Sequence, residues 1–185
     1  MEPSPQISAT RSLGRHGFRF AFRPDRAARD AAVRIQSELL NRSDECAPIR
    51  PDNLHVLLFP LWEGEKVSAD LIEIATTLVL AIDGKPFEFK FDKLASVPRQ
   101  NGFSTVLAAS HTPGELYALQ RKFVSRFEGL SKAGDLTPCL ALLDTDRVIE
   151  SKPIEPVRWV AREFLLLHTF LGEARQEIVG RWPLR

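Results

Sequence analysis

Residues 51–59 read PDNLHVLLF and residues 136–143 read LTPCLALL. Within them the apolar runs 54–59 and 138–143 have the length and character of buried strands. Each follows a long stretch with helical periodicity. Ahead of the first, Pro24 opens a segment in which Ala28, Ala32, Ile35 and Leu39 form one apolar stripe with the charges opposite. Ahead of the second, Thr112, Pro113, Gly114 and Glu115 predict a capping box, and Leu116, Leu119, Phe123, Phe127 and Leu130 supply the stripe. A long helix before a short apolar strand, once in each half, predicts two similar lobes in one domain. The order of elements alone carries this, because no short sequence repeat accompanies it.

The rest of the chain is read outward from these runs. Phe18, Phe20 and Phe22 alternate with Arg19, Ala21 and Arg23, the period of a half-buried strand. Residues 68–82 read as a helix with Leu71, Ala75, Leu78 and Ile82 inward and Gly84 just past its end. Phe87, Phe89 and Phe91 alternate with charges as another strand, with 104–109 as its hairpin partner. Strands are expected over 159–170 and 176–183, with Pro153 and Pro156 punctuating the approach to the first. The predicted order is β-α-β-α-β-β-α-β-β-β. The fold class is therefore α/β, of the α+β type: two lobes whose antiparallel sheets flank a central groove, with helices on the outside. Residues 1–16 are expected to be a disordered tail, and 17–185 the single two-lobed domain.

Composition bounds the function. The 185 residues are 44% hydrophobic and 26% charged, as in an ordinary globular protein. No apolar run approaches the roughly 20 residues of a membrane span, and residues 1–12 lack the apolar core of an export signal. Cys46 and Cys139 are too few for a disulfide framework or a four-thiolate site, which fits a reducing compartment and makes the cytoplasm the expected location. A net charge of +1 excludes strong non-specific attraction to a polyanion, so any anion site must be local. Arg11, Arg15, Arg19, Arg23, Arg26, Arg29 and Arg34 make one local positive excess, read here as a solvated strand edge and helix face. His16 and His111 are read in loops. No His or Cys pair has metal-ligand spacing, so metal binding is not expected.

The two runs, together with IEPVRWVAREFLLLHTFLG at 154–172 and GRWPL at 180–184, resemble the two-histidine phosphoesterases over residues 17–185. Within that superfamily they are most similar to the bacterial branch of 2′-5′ RNA ligases and RNA 2′,3′-cyclic phosphodiesterases. The family's motif is a His followed two residues later by Thr or Ser, once in each lobe. Here the four positions are His55, Leu57, Cys139 and Ala141, so three of the four are replaced. On a strand, residues two apart share a face, so a His and a hydroxyl at that spacing converge on one phosphate. The resemblance implies two imidazoles on either side of a 2′,3′-cyclic phosphate, one taking a proton from water and the other giving one to the leaving oxygen. The hydroxyls hold the non-bridging oxygens. The scheme needs neither metal nor cofactor.

In this chain His55 is the sole surviving catalytic candidate, and it reads equally as a buried structural histidine. Same-face spacing sets Leu57 and Phe59 beside it, and Ala141 and Leu143 beside Cys139. Cys139 is an acid, a nucleophile or a small core residue. His168 and Arg162 alternate to one strand face and are candidates for the groove. Trp62, Trp159 and Trp182 either stack on bases or pack the core and its rim. Losing an acid–base partner removes a factor on the order of 10²–10⁴, and each lost oxyanion donor about 10²–10³ more. The reading is a 2′-5′ RNA ligase-like, cyclic phosphodiesterase-like protein with eroded motifs that binds a nucleotide or RNA end without catalysis. An RNA or nucleotide with a terminal or cyclic phosphate is the partner this implies, with no membrane. The alternatives are an active RNA 2′,3′-cyclic phosphodiesterase or 2′-5′ RNA ligase using His55, and an interaction protein whose apolar groove takes a partner.

Overall fold

The alternation of Phe18, Phe20 and Phe22 with polar or small residues builds a strand whose aromatic side is wholly buried. It is β1 (Arg15–Phe22) in a computed structural model that describes residues 15–41, 46–99, 102–130 and 137–185. The tail expected over 1–16 lies outside the described residues except for Arg15 and His16, which open β1 instead. Arg11 and Leu136 also lie outside them.

α1 (Arg26–Leu40) follows, its first turn capped by Asp25, whose carboxylate accepts from the Ala28 amide at 2.9 Å. The remaining elements are β2 (Cys46–Pro48), a 3₁₀ turn (Pro51–Asn53), β3 (Val56–Gly64), α2 (Ala69–Val79), β4 (Phe87–Arg99), β5 (Gly102–Ala108), α3 (Gly114–Arg126), β6 (Cys139–Thr145), β7 (Lys152–Ala161), β8 (Glu163–Leu171) and β9 (Arg175–Pro183). Two expectations change here. The capping box does not form: Pro113 stands at the N-cap of α3 and no side chain bonds to the first turn. The single strand expected over 159–170 is two strands, β7 and β8, separated at Arg162. Pro153 and Pro156 lie inside β7, which forms one edge of the sheet, the kind of strand that tolerates proline.

Among the described residues all strands join one nine-stranded sheet in the order β7-β4-β5-β6-β3-β1-β8-β9, with β2 beside β6, and all paired strands are antiparallel. The expectation of two separate sheets is corrected accordingly. The two apolar strands β3 and β6 are each central, and each pairs its free edge with the other, but at only one residue pair, Val56↔Leu140. The buried apolar residues of α1, α2 and α3 all enter a single hydrophobic cluster with one face of this sheet. The other face carries Ala21, Leu165 and Leu167, with Ile178 against them. No helix among the described residues is long and apolar enough to cross a membrane.

Both central strands carry a bulge at the same place. In β3, Leu57 pairs with Ala21 but Phe59 with Phe20, so Leu58 is an extra residue; in β6, Ala141 pairs with Val106 but Leu143 with Thr105, so Leu142 is extra. Each bulge breaks the period of two and buries consecutive residues: Leu58 with Phe59, and Leu142 with Leu143. Phe59 and Leu143 therefore do not share the faces of His55 and Cys139 as expected; both turn into the helix-side core.

Candidate functional site

His55 is held just ahead of β3. The 3₁₀ turn Pro51–Asn53 brings the Asn53 carbonyl back onto the ring, 2.7 Å from Nδ1. A carbonyl only accepts, so Nδ1 carries the proton and Nε2 keeps its lone pair. The ring is half-buried, and burial lowers its pKa from the ordinary 6.5 to about 4. The Asn53 carbonyl opposes that shift, while the guanidinium groups of Arg19, Arg23 and Arg99 reinforce it. His55 is neutral at physiological pH and lies in the field of these three arginines.

Those arginines come from both halves of the sheet. Arg19 alternates away from the buried Phe18 and Phe20 on β1, and Arg23 follows just beyond its end. Burial lowers the Arg19 pKa; Glu63 opposes this and Arg99 adds to it. Arg23 donates through Nη2 to Gln176 Oε1 at 3.1 Å, while its Nε is buried without a partner. Arg99 ends β4. Its Nη2 is 3.4 Å from Ser104 Oγ and its Nε 3.8 Å from Asp144 Oδ1, while Ser104 donates to Asp144 Oδ1 at 2.9 Å. The bulge at Leu142 is what turns Asp144 toward this pair, by returning Leu143 to the core.

The opposing strand offers little polarity. The antiparallel register through Val56↔Leu140 sets Leu57 opposite Cys139 and His55 opposite Ala141. Cys139 and Ala141 are flanked on their other side by Ala108 and Val106. Burial raises the Cys139 thiol pKa, against the pull of Arg99, so the thiolate is disfavoured. Leu57 on β3, Cys139 and Ala141 on β6, and His55 just ahead of β3 thus lie close together, with one imidazole and no hydroxyl among them.

His168 is placed elsewhere. It pairs with Phe18, whereas Leu167 pairs with Arg19, so the His168 ring lies on the helix side of the sheet, opposite Arg19. There it stacks on Phe18 at 4.4 Å and 12° and shares a 2.9 Å hydrogen bond with His16, which is in β1 rather than a loop. Arg162 sits exposed in the gap between β7 and β8, where the strand alternation that joined it to His168 does not hold. Trp159 and Trp182 pack in aromatic clusters, Trp159 against Phe89 at 4.8 Å and Trp182 against Phe164 at 5.7 Å; Trp62 lies 6.2 Å from Phe18. Sequence reasoning missed the arginine trio. The signal was present in part, since Arg19 and Arg23 take the polar places in the alternation at 18–23, but nothing local connects them to Arg99.

The fold defines a class: an antiparallel α+β fold like that of LigT. The chain matches Escherichia coli LigT in its apo form with a TM-score of 0.74, and LigT complexed with ATP with 0.77. Both are 20% identical, over 92% of this chain and 98% of LigT. A phosphoesterase structure matches at 0.73 with 21% identity over 91% of this chain and 98% of its own. The protein TT0787 of Thermus thermophilus matches at 0.72 with 17% identity over the same shares. At these identities the likeness establishes the fold. No protein-family model matches the sequence, and no curated protein does either.

Proposed function

We propose that this chain binds a nucleotide or RNA end bearing a terminal or cyclic phosphate beside His55, over the β3–β6 junction, and does not turn it over. One observation carries the reading: Arg19, Arg23 and Arg99 act together on a neutral His55 whose opposing strand presents Cys139 and Ala141. Guanidinium groups make strong, charge-assisted bonds to phosphate oxygens, and His55 Nε2 is free to take part in binding. LigT has been captured with 3′-AMP, ATP, NADP+ and phosphate, which supports a phosphate-bearing ligand for this fold. Catalysis lacks its parts. His55 Nε2 can accept a proton, yet Cys139 replaces the second imidazole, and Leu57 and Ala141 replace both hydroxyls.

The test has a binding arm and a turnover arm. Calorimetric titration with 3′-AMP and 2′,3′-cyclic AMP should show binding that inorganic phosphate competes away. Arg19→Ala and Arg99→Ala should each weaken it about tenfold or more, the scale of one charge-assisted hydrogen bond. Ring opening at neutral pH without metal should be negligible for the unmodified chain. The triple change Leu57→Thr, Cys139→His and Ala141→Thr should recover partial turnover, lost again when His55→Ala is added. Robust turnover by the unmodified chain, abolished by His55→Ala, would replace this reading with an active phosphodiesterase.

A further inference from the structure

Arg23 faces a second feature that His55 does not use. A cavity of about 330 Å³ is walled by Arg23, Trp159, Arg162, Glu163, Leu165 and Arg181, among others. Among the described residues, two buried side-chain nitrogens lack a hydrogen-bond partner, Arg23 Nε and Trp159 Nε1, and both belong to residues that wall this cavity. Buried donors are nearly always paired, so two orphans in one lining indicate a missing acceptor. The carboxylates at hand are already engaged. Glu163 accepts from Arg181 Nη1 at 2.7 Å, and Asp25 caps α1 through the Ala28 amide at 2.9 Å. Set against these two acids, Arg23, Arg162 and Arg181 leave the lining with an excess of positive charge. Arg181 also presses its charge on Arg23, a repulsion that an anion between them would relieve.

We infer that this cavity is a second anion subsite, sharing Arg23 with the His55 site, and that the ligand carries phosphates on both sides of one nucleoside. The inference rests on the proposed function and narrows it. The phosphate at the ribose 2′ and 3′ positions takes the place beside His55, Arg19 and Arg99. The phosphate on the 5′ side takes the cavity of Arg162 and Arg181. Two sources offer this chemistry, a free nucleoside 3′,5′-bisphosphate and the 3′-phosphorylated end of an RNA strand.

The experiment compares 3′-AMP, adenosine 3′,5′-bisphosphate and the 3′-phosphorylated dinucleotide ApAp by calorimetry at low ionic strength. At least one of the two-phosphate ligands should bind about 10–100-fold more tightly than 3′-AMP, the gain from one added set of charge-assisted hydrogen bonds. In the double variant Arg162→Gln, Arg181→Gln that ratio should fall toward one. Both side chains are exposed, so the variant should fold, which its melting curve checks. Tighter binding of the bisphosphate identifies a free nucleotide, and tighter binding of ApAp an RNA end. If 3′-AMP binds but neither two-phosphate ligand does better, the second subsite is wrong and the proposed function stands. A gain that survives in the double variant places the second phosphate elsewhere and also overturns the inference. If no nucleotide binds, both readings fall.

Discussion

At the scale of single residues, His55 is set by its surroundings rather than by its strand. Its pKa near 4 means that in the folded chain the ring stays neutral over a range in which an unfolded histidine, at 6.5, would take a proton. Between those values the unfolded state binds more protons, so stability falls as pH is lowered from 6.5 toward 4. The full loss is on the order of 3 kcal/mol. The denaturant midpoint should therefore drop more steeply with acid in the natural chain than in His55→Gln; parallel curves would show that the ring is not desolvated. Arg19→Gln should raise the His55 pKa, read from its ring proton shifts by NMR, because one of the three cations that depress it is gone. A bound phosphate should raise it further, by placing negative charge where the guanidinium charges now dominate. The sequence marks His55 through the motif it half retains, but not this electrostatic setting, since Arg19 and Arg99 lie far apart in the chain and meet only when the halves of the sheet join.

At the scale of elements, what could be read was the period, and what could not was its interruption. The alternation of Phe18, Phe20 and Phe22 and of Phe87, Phe89 and Phe91 predicts β1 and the start of β4 with the right side inward. The run LLF at 57–59 obeys no such rule, because an apolar run has no polar residue to mark the bulge at Leu58. That bulge sends Phe59 onto α3, 5.7 Å from Phe123 and 5.4 Å from Phe127. Phe59→Ala should accordingly cost about 3–5 kcal/mol, as for other buried aromatic truncations. A urea titration would check it, and a loss below about 1 kcal/mol would mean Phe59 faces solvent. Gln36 was equally hidden, a polar residue on the buried side of α1, 5% exposed. Its Nε2 donates to the Ile49 carbonyl at 2.8 Å and the Leu142 carbonyl at 2.6 Å, tying the helix to the bulge of β6. Gln36→Leu leaves both acceptors without that donor and should cost about 1–3 kcal/mol despite its greater hydrophobicity.

At the scale of the molecule, backbone and side chains describe different divisions. The backbone separates β7-β4-β5-β6 from β3-β1-β8-β9, with one residue pair between them. The two halves answer each other in structure, each with a long helix before a bulged central strand, and the sequence showed this only as an order of elements. The core ignores the division. Phe22 of one half lies 5.4 Å from Phe87 and 5.3 Å from Phe89 of the other, and α1, which follows β1, buries Ala28 and Ala32 in the same cluster as Leu140 and Val157. Neither half can open without exposing apolar surface of the other, so residues 15–185 should unfold as one cooperative unit. Scanning calorimetry should show a single transition whose calorimetric and van 't Hoff enthalpies agree, with an enthalpy near the usual ~0.7 kcal/mol per residue. The Gln36→Leu variant sharpens the test, because it weakens a link between α1 and β6 while leaving each half's strands untouched. If the halves were independent, that variant would split the transition or melt one half first. A single transition, shifted down as a whole, is the outcome that one shared core requires.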